Sequence, residues 1–523
     1  MSIYRVDLHA KSGSGADEVF SYATRAYQTS PSGSPANTFY EGRVQQPGLF
    51  RRDMFGEGRL FGGLVVNSGA CVLDNGDGGL DFMKDYAFDG LDFYIWQVEP
   101  DDPDNPVQVF EGVLEQPIIT EETVTFMVRD YNHKLDVLLQ DNRYGGTNSL
   151  PAGVDGTADD IAGRPKPILV GGCYNFEPVC VNTSKLIYQF DSFYAGATLY
   201  VYDSRAQLTL GTAYTDQADM EANAPASGSV RFWTAGGMFR IGARPVGRIT
   251  CTGTVMPPGG SPYLSEVVEA ILAFVYSGDF EAQMATTIGT GVYVLQEATV
   301  LNVLNEVLEG TSAFLTYGPS PTGAYSGNGY FLSQLTDPAS LPYTPLADIL
   351  ELDETNILKG SIEPVIPNEV TRGLPVWRVN LSADRNYTVM TQNEIAGTVS
   401  QADVTRWGLE YRVSSVEDVL VKTVWPSAPE LSLRSNLAGY GATTAQHYMD
   451  LHGVKRDIYR LKVPMEVARD VPAVSGSDRY SLQLQSRVSI TYPRFGLDSG
   501  KLFLVIGMVE DYKEETVELI VWG

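Results

Sequence analysis

The chain has 523 residues, with 64 Asp and Glu against 37 Lys and Arg and a formal net charge of −27. A single core stops growing near roughly 250–300 residues, so about three or four domains are expected. The acid excess excludes a surface built to wrap DNA phosphates, but not one that DNA slides past without adhering. At 43% hydrophobic residues the chain is globular rather than disordered. No apolar run reaches the about 18 residues needed to span a bilayer. The opening MSIYRVDLHAKSGSG has no basic segment followed by an apolar one, so no secretion signal is expected. Four cysteines are too few for a disulfide scaffold and point to folding in a reducing compartment.

Residues 1–140 read as strands. Gly62–Leu73 is apolar and β-branched, and Asp74–Gly79 (DNGDGG) makes a turn. Leu91–Trp96 follows, then an acidic, Pro-containing loop over Glu99–Pro106, then Val107–Leu114 and Thr123–Val128. Val124, Phe126 and Val128 share one face, the period-2 signature of an antiparallel sheet or barrel. Residues 141–260 carry Gly- and Pro-punctuated loops with short strands at Ala197–Val201 and Ser229–Trp233, read as an inserted β-rich domain. Residues 261–349 change character. Ser265–Val275 and Thr299–Leu308 are predicted helices, with Ser265 and Thr299 as N-caps and Gly310 as a terminator. Val300, Leu301, Leu304, Val307 and Leu308 form the expected apolar face, and a strand at Ala313–Tyr317 completes a small α/β domain. Residues 350–523 return to strands, at Pro375–Leu381, Tyr459–Val463, Tyr480–Leu484, Val488–Tyr492, Leu502–Gly507 and Thr516–Trp522. One predicted helix, around Thr443–Leu451, interrupts them.

The end of the first β region resembles the end of the chain. Ile95 precedes Gly112 by seventeen residues, as Ile490 precedes Gly507. Each glycine closes an apolar strand, where a bulge or bend needs the missing side chain. Each is followed by Glu-Glu-Thr-Val, at Glu121–Val124 and Glu514–Val517, and Val517, Leu519 and Val521 repeat the face of Val124, Phe126 and Val128. The alternatives are two hairpins sharing a tetrapeptide by composition, or two β-barrel-like domains of one kind. Two copies are too few for a solenoid, which needs at least about three stacked units.

Catalytic signatures are sparse. The histidines are His9, His133, His447 and His452, expected as surface or capping residues, and the last two are five apart rather than the four of a zinc helix. No nucleophile elbow or phosphate loop occurs, and no acid pair stands out for glycoside hydrolysis. Cys173 and Cys180 lie in GGCYNFEPVC, with Cys71 and Cys251 distant. The readings left open are buried free thiols, a Cys173–Cys180 bridge, or an iron–sulfur cluster on the four, although CXXC spacing is missing. Asp74–Asp81 looks like a calcium loop, but Gly76 and Gly78 stand at two ligand positions, so a tight hairpin is expected. No catalytic, cofactor-binding or metal-binding residue is nominated.

The stretches Tyr22–Val44, Asp74–Trp96, Val109–Asp136, Gly163–Asn182 and Arg479–Gly507 together resemble the central hub proteins of tail tips and baseplates in long-tailed bacteriophages and gene transfer agents. The resemblance is weakest between about 280 and 440. It implies a mainly β, multidomain chain. Two tube-like antiparallel β-barrel domains, at 1–140 and 350–523, would flank the inserted β-rich domain at 141–260 and the α/β domain at 261–349. It further implies a non-enzymatic homotrimer whose six β domains imitate sixfold symmetry. Such a ring would join the hexameric tail tube above to tip or fibre proteins below, with DNA passing through its lumen. The expected location is the virion, after assembly in the host cytoplasm. A cell-wall-degrading or receptor-binding tail-tip protein is the alternative.

Overall fold

The computed structural model describes residues 2–55, 60, 62–193, 196–256, 260–285, 287–365, 373–475 and 477–523. The protein is mainly β. In the first β region the strands are β1 (Ile3–Lys11), β2 (Asp17–Ala23), β3 (Val44–Asp53), β4 (Ser68–Asp74), β5 (Asp92–Glu99), β6 (Asp102–Leu114) and β7 (Thr123–Arg129). They form one sheet in the order β2-β1-β5-β6-β7-β4-β3. Alternation decides which face is inside. Val124, Phe126 and Val128 of β7 are fully buried against Phe93 and Ile95 of β5. The expected acidic loop at Glu99–Pro106 is instead a two-residue turn followed by the start of β6, since Glu99 pairs with Asp102. The expected strand Gly62–Leu73 is ordered as β only from Ser68.

The inserted region holds β8 (Ile168–Phe176), β9 (Val179–Asn182), β10 (Ile187–Gln189), β11 (Gly196–Asp203), β12 (Ser229–Trp233), β13 (Met238–Ile241) and β14 (Ile249–Met256). One of its sheets runs β11-β14-β8 and another β9-β10-β13-β12. Aromatic side chains from both, among them Phe176, Phe190, Phe232 and Phe239, share a core.

The α/β layer contains α1 (Leu264–Leu272), β15 (Phe280–Gln283), β16 (Gly291–Val294), α2 (Val300–Leu308), β17 (Ala313–Pro319) and β18 (Asn328–Gln334). β16 leaves this layer to extend the inserted sheet beside β8. Thr299 caps α2 by accepting from the Asn302 N–H, and Gly310 follows at φ +68°, a left-handed position that suits glycine. The buried face of α2 is Val300, Val303, Leu304, Val307 and Leu308, with Val303 taking the place expected for Leu301. Ser265 is not an N-cap. α1 starts one residue earlier, after Tyr263, and the Ser265 hydroxyl turns to Glu266.

Further elements include β19 (Leu350–Leu352), β20 (Arg378–Ala383), α3 (Gln401–Trp407), β21 (Arg412–Glu417), α4 (Val419–Val424), β22 (Glu430–Arg434), α5 (Gly441–His452), β23 (Ile458–Pro464), α6 (Met465–Arg469), β24 (Arg487–Ile490), β25 (Lys501–Asp511) and β26 (Thr516–Trp522). The stretch 350–523 is therefore not one β region. β21-β20-β22 form a separate mixed sheet covered by α5, and Val379, Leu381, Tyr448 and Met449 pack into the core of α1 and α2. Their apolar faces find the helices rather than the C-terminal strands. The expected strand Tyr480–Leu484 is only Arg479–Tyr480, followed by a turn closed by Ser486 N–H to the Gln483 carbonyl.

Four strands repeat. β4, β5, β6 and β7 lie in the order β5-β6-β7-β4, and β23, β24, β25 and β26 lie in the order β24-β25-β26-β23. Each is a three-strand meander with the preceding strand returned beside its last member, a Greek-key arrangement. The repeat extends one strand further than the sequence likeness, because β4 and β23 also correspond. The equal seventeen-residue spacing reflects no common register: Ile95 faces Phe110, whereas Ile490 faces Lys501.

Candidate functional site

The two β regions are one sheet. β3 pairs with β25 from Gly507 opposite Asp53 to Asp511 opposite Leu49, along the stretch of β25 beyond Leu504, where its pairing with β24 ends. Beneath this junction Tyr4 meets Tyr512 edge-on with centroids 5.4 Å apart, and buried residues of both regions belong to one contiguous cluster. Gly507 sits at the junction because a Cβ there would stand 2.6 Å from Asp53 Oδ1. Gly112 has a different reason: its Cβ would stand 2.7 Å from Val128 Cγ1 and 2.8 Å from the Arg129 carbonyl oxygen.

Charged groups reinforce the joint. Arg52 donates to Glu510 at 2.8 Å and to Gln483 at 3.1 Å, and the Glu510 side chain is 8% exposed. A pair this sheltered keeps more of its attraction than a surface ion pair. Asp53 N–H donates to Asn67 Oδ1, and Asn67 donates through its backbone and side-chain N–H groups to Asp130 Oδ2 at 3.0 and 2.8 Å. Burial pushes the Asp130 carboxyl up to about 6, against the opposing pull of these donors and of the Asn132 N–H.

Beside the joint lies a cleft of about 650 Å³. Its walls come from β6, from the segment Arg479–Arg487, and from the loop after β17. Phe50 and Phe110 stack at 3.7 Å, and Tyr131 and Tyr317 at 4.2 Å. Lys134 covers Tyr131 at 4.2 Å from the ring and pairs with Asp92 at 2.6 Å. Glu111 accepts from Asn328 Nδ2 at 2.8 Å and from Tyr317 Oη at 3.3 Å, which brings the α/β layer against β6.

The residues singled out in the sequence lie elsewhere. Cys71 is in the core shared by the β regions, while Cys173, Cys180 and Cys251 belong to the inserted region, and all four are free thiols. They do not form one ligand set, and burial pushes the Cys71, Cys173 and Cys251 thiols up. His447 Nε2 lies 2.9 Å from the Leu335 carbonyl. His452, expected near the surface, is buried beside Tyr448 and Trp522, and desolvation lowers it to about 3. Asp74–Asp81 is a closed turn. Asn75 donates to Asp81 and to the Thr120 carbonyl, and Arg43 grips Asp77 through both guanidinium nitrogens at 2.8 Å. No group of three or more His, Cys, Asp or Glu side chains among the described residues is placed to hold a metal ion. No helix among them is long and apolar enough to cross a membrane.

Sequence reasoning missed a second joint. Arg205, at φ +65°, lies between the rings of Tyr202 (3.7 Å) and Trp407 (3.8 Å) and donates to Asn175 Oδ1 at 3.0 Å. Desolvation lowers it to about 10. This sandwich ties the inserted region to α3 through cation–π contacts. No local pattern announces it, since Asn175 and Trp407 are about 30 and 200 residues from Arg205 in the chain.

No protein-family model matches the sequence, and no curated protein matches it. Among solved structures the chain is similar to a tail protein from Neisseria meningitidis MC58, with 9% identity over 99% of this chain and 96% of that one, at a TM-score of 0.38. It is also similar to the prophage MuSo2 43 kDa tail protein from Shewanella oneidensis, with 9% identity over 98% and 96%, at 0.39. A chain of the virion of a native gene transfer agent particle aligns with 48% of this chain and 79% of its own length, at 12% identity and 0.20.

Proposed function

We propose that the chain is a structural component of a bacteriophage tail, the hub at its tip. Three copies contribute six β regions to a ring that joins a sixfold tube to the parts below and surrounds the DNA channel. The observation that supports this reading is the repeated Greek key fused by the β3–β25 pairing. A strand-to-strand joint with a common core fixes the relative placement of two like modules. A closed threefold ring with near-equivalent interfaces at sixfold spacing needs such a pair. The −27 charge suits the role, because acids facing the channel repel phosphates. Glu99, Asp101 and Asp102 are exposed at the tip of the β5–β6 hairpin and are the acids assigned to the channel in this reading.

A density map of the particle end tests the proposal. The expected result is three copies with both β regions lining a central pore. β regions placed away from the axis overturn it. Lysine at Glu99, Asp101 and Asp102 is expected to slow DNA release, and an unchanged release rate removes the channel assignment.

A further inference from the structure

The cleft beside the joint has an unfinished wall. β6 pairs along its length with β5 but with β7 only at Val113 and Leu114. From Asn105 to Glu111 its second edge has no strand partner among the described residues, a length of roughly 23 Å at strand spacing. Tyr512 Oη, arriving from the second β region, donates to the Val109 carbonyl at 3.2 Å, which shows a main-chain oxygen directed to that side. Pro103 and Pro106, which lack an N–H, are the residues an edge tolerates, and Val107 is 64% exposed there.

The charges around the cleft are unevenly matched. Its acids have their own donors: Glu510 has Arg52, Glu111 has Asn328 and Tyr317, Asp130 has Asn67, Glu99 has Gln97 and Asp348 has the Ile349 N–H. Two of its arginines have no carboxylate among the described residues. Arg469 donates to Gln97 Oε1 at 2.9 Å and lies over the Tyr512 ring, and its Nη2 has no hydrogen-bond partner among the described residues. Arg487 also lines the cleft, and its buried Nε has no hydrogen-bond partner among the described residues. In a chain with 64 acids, two guanidinium groups left without a carboxylate in one cleft are a vacancy for anionic groups.

We propose that this cleft receives an extended, acidic peptide segment of a partner protein. The segment adds to the open edge of β6 through main-chain hydrogen bonds and places carboxylates against Arg469 and Arg487. The volume of about 650 Å³ lies within the range of about 300–1,000 Å³ common for binding pockets. Strand addition supplies affinity through the backbone, and the arginines supply selectivity. The inference does not rest on the hub reading, since it concerns one copy of the chain.

The test is fluorescence anisotropy on the full chain, with a labelled heptapeptide of alternating Glu and Val as the probe. Saturable binding is expected at micromolar concentration. The matched Lys/Val peptide is expected to bind at least about tenfold more weakly, and so is the Glu/Val peptide with alternate amides N-methylated. Arg487→Gln is expected to weaken the Glu/Val peptide by about tenfold, and Arg469→Gln similarly. Arg487 is only half-buried, so its variant keeps the test valid if Arg469→Gln fails to fold, which a thermal melt reports. No saturable binding, equal binding of the lysine peptide, or indifference to N-methylation or to Arg487→Gln would each overturn the proposal.

Discussion

Four strands of the first β region and four of the second follow the same path, yet the two copies are finished differently. In the first, β5 is flanked by antiparallel β1, and the β5–β6 connection is a two-residue turn. In the second, β24 is flanked by parallel β19, and a ten-residue loop carrying the buried Leu497 separates it from β25. Inward-facing residues correspond: Val124, Phe126 and Val128 in one copy, Val517, Leu519 and Val521 in the other, all essentially inaccessible. The contrast shows what a repeat preserves. Alternation and strand order set the core, and the flanking segments set which edges are closed and which remain open.

The largest expected effect tests whether the copies are energetically one unit. Phe126→Ala and Leu519→Ala empty equivalent positions of a contiguous core, and should cost about 3–5 and 2–5 kcal/mol respectively. Since the core runs across the joint, each variant should lower the same unfolding midpoint, with both β regions lost together in denaturant titration. Two separated transitions would show that the copies are independent.

The ends of the copies should also respond to acid in opposite directions. His452, against Trp522, is neutral in the fold, while the unfolded chain takes up its proton below about 6.5. Stability therefore falls as pH drops from about 6.5 toward about 3, by up to roughly 4 kcal/mol. Asp130 follows the other sign. Its carboxyl is raised to about 6, so its contribution is complete below the unfolded value near 3.9 and lost as pH rises through about 6. Denaturant midpoints from pH 4 to 7 should show His452→Gln removing a rising limb and Asp130→Asn removing a falling one.

The two glycines separate next. Gly112→Ala meets a backbone carbonyl that cannot retreat without breaking the β6–β7 pairing, and is expected to cost about 2–3 kcal/mol. Gly507→Ala meets a side-chain oxygen of Asp53, which can shift, and about 1–2 kcal/mol is expected. Thermal melts of the pair check the order.

Much of this was legible in the amino-acid pattern, and the misses have physical causes. The strands β7 and β12 are read directly from alternating apolar residues, because each has one face in a core. β26 instead ends in a continuous apolar run because both its faces are buried, Val517, Leu519 and Val521 in one cluster and Ile520 and Trp522 in another. The start of β6 is hidden by Asp102, Pro103, Asp104 and Pro106, a composition that suits an edge strand and reads as a loop. The transfer of β20 and α5 to the helical core has no local signal, since it depends on packing between residues far apart in the chain. The joint is less legible still: Arg52 and Glu510 are 458 residues apart. Of the residues with conspicuous chemistry, Cys71, Cys173, Cys251 and His452 are buried among packed side chains, while the cleft is lined by arginines and a strand edge that no motif marks.

The smallest expected effect lies in the part of the chain that is not repeated, and it isolates local chemistry from the shared core. Both helices there were expected to start on a hydroxyl side chain. Thr299 does accept from the Asn302 N–H, so Thr299→Ala leaves that donor without its partner and should cost about 1 kcal/mol. Ser265 lies inside α1 and bonds Glu266, so Ser265→Ala should change stability by less than about 0.5 kcal/mol. Equal losses would place the α1 start at Ser265. A loss confined to Thr299→Ala supports the start after Tyr263 and, by its size against Phe126→Ala, shows how little of the stability is local.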